Sequence, residues 1–318
     1  VKQEGVNIPD LSFRSFLHSA GAVETDGAPD YNILRITNAG LTTPYIFNFG
    51  GITVLSSLVG IEHFPNVRTL NISRSKIEAL DLSRNTELRE LICSSTPLAA
   101  LDLTKNTELT DLDCSSTQIT SLALTNNAKL VRLNCSLTDI QSLNVDHITG
   151  LEYLNCHTTM VSMLNLTNNT ALKRLYCGNT YVTSLDVSQN KGLQQLSCSE
   201  SKLETLDVSG LTALETVECY HSPSLSTLKI SGCSKLRVLA LFLVEGEENG
   251  DGDGHDHQPE NEPYNSIMDD EVSGLRVLNM SLPEKMVGNI NPYKTIVAED
   301  ILAVSGNYVW KGFVSEGN

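Results

Sequence analysis

The chain has 318 residues, enough for one large or two ordinary domains, and sets 22 Lys and Arg against 38 Asp and Glu for a formal net charge of -16. That surplus of negative charge repels polyanions and excludes nucleic acid and anionic membranes as natural partners. The longest apolar run, Val238 to Val244, falls well short of the roughly 18 residues a membrane-spanning helix needs, so no transmembrane segment is expected. The sequence begins at Val1 with neither an initiator methionine nor a signal sequence, and a targeting segment is expected to have been removed.

Residues 1–66 precede any regular pattern. From there the chain falls into lines that begin at Val67, Leu88, Leu109, Leu130, Leu151, Leu172, Leu193, Leu214, Leu236 and, after an interruption, Leu275. Each follows LxxLxCxx(T/S)xLxxLxLxx(N)xx. Cys93, Cys114, Cys135, Cys156, Cys177, Cys198 and Cys219 recur 21 residues apart, with Cys233 alone off that beat. A fixed spacing of this kind marks a structural period. Six apolar positions per line, for instance Leu172, Leu175, Cys177, Val182, Leu185 and Val187, must face inward if each line is one coil of a solenoid. Burying six side chains does not offset the entropy of fixing a whole coil, so one coil cannot fold alone and the array needs caps at both ends.

This pattern, with cysteine at the sixth position and LDLSxN or LDVSxN in the second half, resembles the internalin-like leucine-rich repeats common in exported proteins of Bacteroides-type bacteria, over about residues 67–280. The resemblance implies a right-handed leucine-rich-repeat solenoid of about ten 21-residue coils, with parallel β-sheets, few helices, a helical N-cap and a short β C-cap. It also implies a protein exported to the extracellular space or outer surface of a Gram-negative cell, often lipid-anchored, that holds a protein or a glycan on its sheet face. By the same resemblance residues 1–66 become an N-terminal cap and first half-coil, through IPDLSFRSFL at Ile8–Leu17 and LVGIEHFPNV at Leu58–Val67. The family's DxxxDG-type loop is reduced here to ETDGAPD at Glu24–Asp30, and no calcium ion is assigned to it.

Alternation along a strand places Leu175 and Cys177 inward and Tyr176 outward, so the recurring cysteine reads as a small buried hydrophobe. In-register parallel strands run their side chains side by side, a poor geometry for disulfides, and free thiols are expected. The ninth position, asparagine in most such repeats, holds Thr96, Thr117, Thr138, Thr159, Thr180 and Ser201, read as a structural ladder of hydroxyls. Cys156 faces in while His157 faces out, and Cys219 faces in while His221 lies on a corner, which separates the two tempting Cys–His pairs, and no GxSxG elbow, P-loop or HExxH motif occurs. An enzyme is not expected.

On the second strand of each coil the outward residues are small and polar. The first strand differs: its third position runs Glu90, Asp111, Arg132, Tyr153, Arg174, Gln195, Thr216 and its fifth Ile92, Asp113, Asn134, Asn155, Tyr176, Ser197, Glu218. The adjoining corner adds His157, Tyr181 and Tyr220. Tyrosine and arginine concentrate binding energy at interfaces, so Asp111, Asp113, Arg132, Tyr153, His157, Arg174, Tyr176, Tyr181 and Tyr220 form the candidate partner-binding set. A purely structural reading, in which Asp111, Arg132, Tyr153 and Arg174 stack as ion pairs and cation–π contacts between coils, is compatible with it.

The repeats at 67–243 give way to an acidic insertion at 244–273, then a last repeat and C-terminal cap at 274–318. VEGEENGDGDGHDHQPENEP has the composition of a solvated, mobile loop. A sharper alternative sets Asn249, Asp251, Asp253, Gly254 and Glu260 at positions 1, 3, 5, 6 and 12 of a calcium loop, against Asp256 and Pro259 at unsuitable positions; a His255/His257 transition-metal site is a third reading. Beyond it, alternating apolar residues from Thr295 to Val314 are expected to close the open end with strands. The reading that unites these features is a non-catalytic module without a cofactor that binds a protein partner, with a glycan-binding module or a structural spacer as alternatives.

Overall fold

A computed structural model of the chain describes residues 6–25, 33–36, 45–240 and 295–296, apart from positions 223 and 226. The acidic insertion with Asn249, Asp251, Asp253 and Glu260 lies outside the described residues, as does the predicted cap beyond 296. The elements are β1 (Val6–Asn7), α1 (Leu11–Ser19), β2 (Val23–Thr25), β3 (Ile33–Ile36), β4 (Tyr45–Asn48), β5 (Val67–Asn71), β6 (Glu90–Ile92), β7 (Asp111–Asp113), β8 (Arg132–Asn134), β9 (Tyr153–Asn155), β10 (Arg174–Tyr176), β11 (Gln195–Ser197), β12 (Thr205–Asp207), β13 (Thr216–Glu218), β14 (Thr227–Lys229), β15 (Val238–Ala240) and β16 (Thr295–Ile296).

Asp10 starts the helix of the N-terminal cap. Its Oδ1 accepts from the backbone N–H groups of Ser12 and Phe13 at 2.8 and 3.0 Å, while Oδ2 accepts from the N–H and hydroxyl of Ser56, which ties α1 to the first half-coil. Phe13 and Leu17 on the inner face of α1 are buried. Phe13 and Phe16 pack against Phe47 and Phe49, and Phe47 also meets Phe64 with centroids 5.7 Å apart. Most of the chain's few phenylalanines thus seal one end of the core, where the first coil has no predecessor to cover it.

Ten strands, β4 through β11 with β13 and β15, form one sheet in which each pair is parallel. Register follows the 21-residue spacing, so Arg174 faces Tyr153 on one side and Gln195 on the other. The sheet begins at β4, one strand before the first full repeat. All six inward positions of the coil that starts at Leu172 are buried, as they are in its neighbours. Cys93 through Cys219 form a buried column, and Cys233 is buried too; none of the eight is disulfide-bonded.

Each column at a corner has its own bonding pattern. The threonine hydroxyls of Thr96, Thr117, Thr138, Thr159 and Thr180 each donate to the carbonyl of the cysteine three residues earlier at 2.7–2.8 Å, so this ladder closes turns within coils. Cohesion between coils comes from the other corner. There Asn85, Asn106, Asn127, Asn169 and Asn190 are fully buried. Each donates Nδ2 to two carbonyls of the preceding coil, as Asn127 does to Leu103 and Asn106 at 3.2 and 2.9 Å. Ile148 breaks the column, and His147 beside it supplies the missing donor, its Nε2 lying 2.9 Å from the Leu124 carbonyl. Cys233 also belongs to this column: it occupies the corner where asparagine sits in earlier coils, with Sγ 3.1 Å from the Val208 carbonyl. Its departure from the 21-residue beat is therefore a change of column.

Among the described residues the second leg of the coils forms regular strands only at β12, β14 and β16. The side chains of Asp81, Asp102, Asn144, Asn165 and Asp186 accept from the N–H two residues on, and single bonds such as Gln118 N–H to Leu98 O connect coils. This Asx turn is the physical reason for the Asp or Asn of LDLSxN.

Candidate partner-binding face

Outward side chains of β7–β11 meet one another in a chain that crosses five coils. Asp111 Oδ1 lies 3.6 Å from Arg132 Nε. The Arg132 guanidinium stands 5.0 Å from the centroid of the Tyr153 ring. Tyr153 and Tyr176 are 5.7 Å apart with an interplanar angle of 49°, and the Tyr176 hydroxyl donates to Gln195 Oε1 at 2.9 Å. Burial pushes both phenols above their ordinary pKa, with nearby arginines opposing it, so both are neutral donors at physiological pH.

Two shallow depressions flank the Arg132–Tyr153 ridge. One, of about 210 Å³, is lined by Glu90, Ile92, Asp111, Asp113 and Asn134 together with the ridge. The other, also about 210 Å³, is lined by Glu152, Lys173, Arg174 and Gln194 with the same ridge. Both are smaller than the roughly 300–1,000 Å³ of a pocket that engulfs a small molecule, and they suit side chains of a partner surface better.

The remaining candidates lie apart from this chain of contacts. Asp113 uses Oδ1 to accept from the N–H and hydroxyl of Ser115, a turn role that Asn134 and Asn155 repeat in the next coils. Arg174 is exposed on the face. It lines the second depression beside Tyr153, outside the stack of contacts. His157 sits at the corner with Nδ1 2.7 Å from the Thr158 hydroxyl, and burial lowers its pKa against the opposing field of Glu200. Tyr181 is further round the corner under Lys202, whose Nζ is 3.9 Å from the ring centroid. Tyr220 packs edge-on against His221. Sequence reasoning left Gln195, Glu90 and Lys173 out of the candidate set; placing each line of 21 residues directly beside the last would have set Gln195 next to Arg174 and Glu90 next to Asp111.

The cysteine column offers no nucleophile to this face. Burial pushes the thiols of Cys114 and Cys156 up to about 12, so neither carries a thiolate at neutral pH. Ion pairs that link adjacent coils along the flank, Arg68–Glu87, Lys129–Glu108 and Lys173–Glu152, are solvent-exposed and each is worth under about 1 kcal/mol.

No protein-family model matches the chain, and no curated protein does. Among solved structures, internalin F of Listeria monocytogenes is similar at 17% identity, covering 74% of this chain and 76% of that one with a TM-score of 0.60. Internalin C2 of the same species is similar at 22% identity, covering 68% and 97% with a TM-score of 0.58. The fold is an internalin-like leucine-rich-repeat solenoid. The functional domain of InlJ from Listeria monocytogenes, described as including a cysteine ladder, shares 27% identity over 59% of this chain and 48% of that one, at a TM-score of 0.47. In this leucine-rich-repeat solenoid the main sheet supplies a continuous, regularly spaced face, and among the described residues no helix is long and apolar enough to cross a membrane.

Proposed function

We propose that the protein is a non-catalytic, exported leucine-rich-repeat protein of the Bacteroides type, displayed at the outer surface of a Gram-negative cell, that binds a protein partner through the outward face of β6–β11. The observation that carries this reading is the outward-facing chain Asp111–Arg132–Tyr153–Tyr176–Gln195, flanked by two side-chain-sized depressions on a ten-stranded sheet. Tyrosine and arginine held by neighbours lose little conformational entropy on binding, which is how interface anchors gain affinity. A protein is favoured over a glycan because Arg132 stands over Tyr153 and Gln195 engages the Tyr176 hydroxyl, so the rings present charge and edges more than a flat stacking platform.

The test is to immobilise the protein and screen a panel of extracellular proteins and glycans beside the Tyr153→Ala/Tyr176→Ala variant. Protein hits that weaken at least tenfold in the variant support the reading. Hits confined to glycans, or protein hits indifferent to both tyrosines, overturn it.

A further inference from the structure

The charges on the face are sorted. Arg132 is partly neutralised by Asp111, and Lys173 by Glu152 at 2.8 Å. Among the described residues no ion pair neutralises Glu90 or Asp113 in the first depression or Arg174 in the second. The first therefore presents net negative charge beside the apolar side chain of Ile92 and the edge of Tyr153, an environment that suits the aliphatic stem and charged head of a lysine or arginine. The second presents an exposed guanidinium beside an aromatic ring, which suits a carboxylate.

Spacing restricts how a partner spans the two. Asp113 is on β7 and Arg174 on β10, three strand steps of about 4.8 Å apart across the sheet and two residues apart along the strand, or roughly 16 Å, a span within reach of residues about 13 Å apart that carry long charged side chains. In an extended chain, residues i and i+4 point to the same side and are about 13 Å apart. We infer that the face binds an extended segment of a partner protein lying across β7–β10, with a basic side chain in the first depression and an acidic one four residues away in the second. This rests on the reading of the face as a protein-binding surface and adds the chemistry of the partner to it. Because both ends of the segment are charged oppositely to what they meet, either chain direction satisfies the pairing, and the spacing of the two charges carries the specificity.

The experiment is selection of a random twelve-residue peptide library displayed on phage against the intact protein, its Arg174→Glu variant and the Tyr153→Ala/Tyr176→Ala variant, after circular dichroism has confirmed that each is folded. The wild-type pool should be enriched roughly tenfold in peptides with one basic and one acidic residue at i and i+4 over other spacings. Arg174→Glu replaces the unpaired positive charge of the second depression with a negative one, so its pool should lose the acidic residue and shift toward a second basic residue at that spacing. Pools without a charge pattern, or one pool shared by wild type and Arg174→Glu, overturn the inference. If such pools still vanish in the tyrosine variant, the face remains a binding surface and only the charge assignment falls; if they survive it, both fall.

Discussion

The ring of Tyr153 lies 5.7 Å from that of Tyr176, across adjacent strands of the main sheet. Both side chains are partly buried against the same face, and Tyr176 is also anchored by Gln195. Each Tyr→Ala substitution should therefore cost about 1–2 kcal/mol of stability from lost apolar contact, and the double variant should cost less than the sum by about 0.5–1.5 kcal/mol, the worth of the aromatic pair. Urea unfolding of the four proteins in the cycle measures that coupling. Additive losses would show that the rings share a face without stabilising one another.

Asn127 donates two hydrogen bonds from a fully buried amide to carbonyls of the coil before it. Asn127→Ile fills the space but leaves both carbonyls without that donor, and should destabilise the protein by about 2–4 kcal/mol. Ile148 shows how the fold accommodates such a change, because His147 reaches the Leu124 carbonyl in that coil. His147→Ala should accordingly cost about 1 kcal/mol or more, whereas an exposed histidine would cost next to nothing. A denaturation midpoint unchanged by His147→Ala would remove the histidine from the ladder.

The leucine and cysteine columns were legible in the sequence because burial constrains every coil in the same way: Leu175, Cys177 and Val182 have to be apolar wherever coils stack. The helical N-terminal cap was legible through the resemblance of Ile8–Leu17, while the capping role of Asp10 appears only in the fold. Polar roles were harder to read, since a side chain that bonds backbone leaves no apolar period. The threonine column was recognised as structural, but its hydroxyls bond within coils, and cohesion between coils falls to the asparagine corner. Cys233 looked exceptional because it sits in that corner column, and the one extra residue of its own coil, between Leu214 and Leu236, hides its place there. On the candidate face, outward direction and order along the sheet followed from the period, while the rotamers that join Tyr176 to Gln195 and leave Arg174 outside the stack depend on packing across three coils.

Leu137 occupies a left-handed backbone conformation, φ 56°, at the corner where every coil from Arg74 to His221 does the same. Its N–H donates to the His157 carbonyl at 2.9 Å, so the conformation is enforced by the stack. A left-handed leucine is disfavoured by about 1–2 kcal/mol, and asparagine tolerates the region better, as Asn179 illustrates two coils on. Leu137 is also 47% exposed, so little burial is lost on replacement. Leu137→Asn is expected to stabilise the protein by about 0.5–1 kcal/mol, read as a higher midpoint in thermal unfolding. A lower midpoint would mean that the leucine side chain contributes packing along the corner.

Acid should weaken the solenoid through its Asx turns. The N–H of Ser83 holds Asp81 below its ordinary pKa of 3.8, the hydroxyl and N–H of Thr104 do so for Asp102, and the N–H and hydroxyl of Ser188 for Asp186. A carboxylate whose pKa is lower in the folded state adds stability that is complete above the unfolded value and is lost as pH falls through the folded one. The urea midpoint should therefore be level from pH 7 to about 5 and decline below about 4. Asn144 and Asn165 already make the same turn without a charge, their Oδ1 atoms accepting at 3.2 and 3.1 Å. Asp81→Asn/Asp102→Asn/Asp186→Asn should thus stay folded at neutral pH and show a shallower decline in acid. A triple variant with the wild-type acid slope would assign the sensitivity to other carboxylates, and one that unfolds at neutral pH would mean the turns depend on the charge itself.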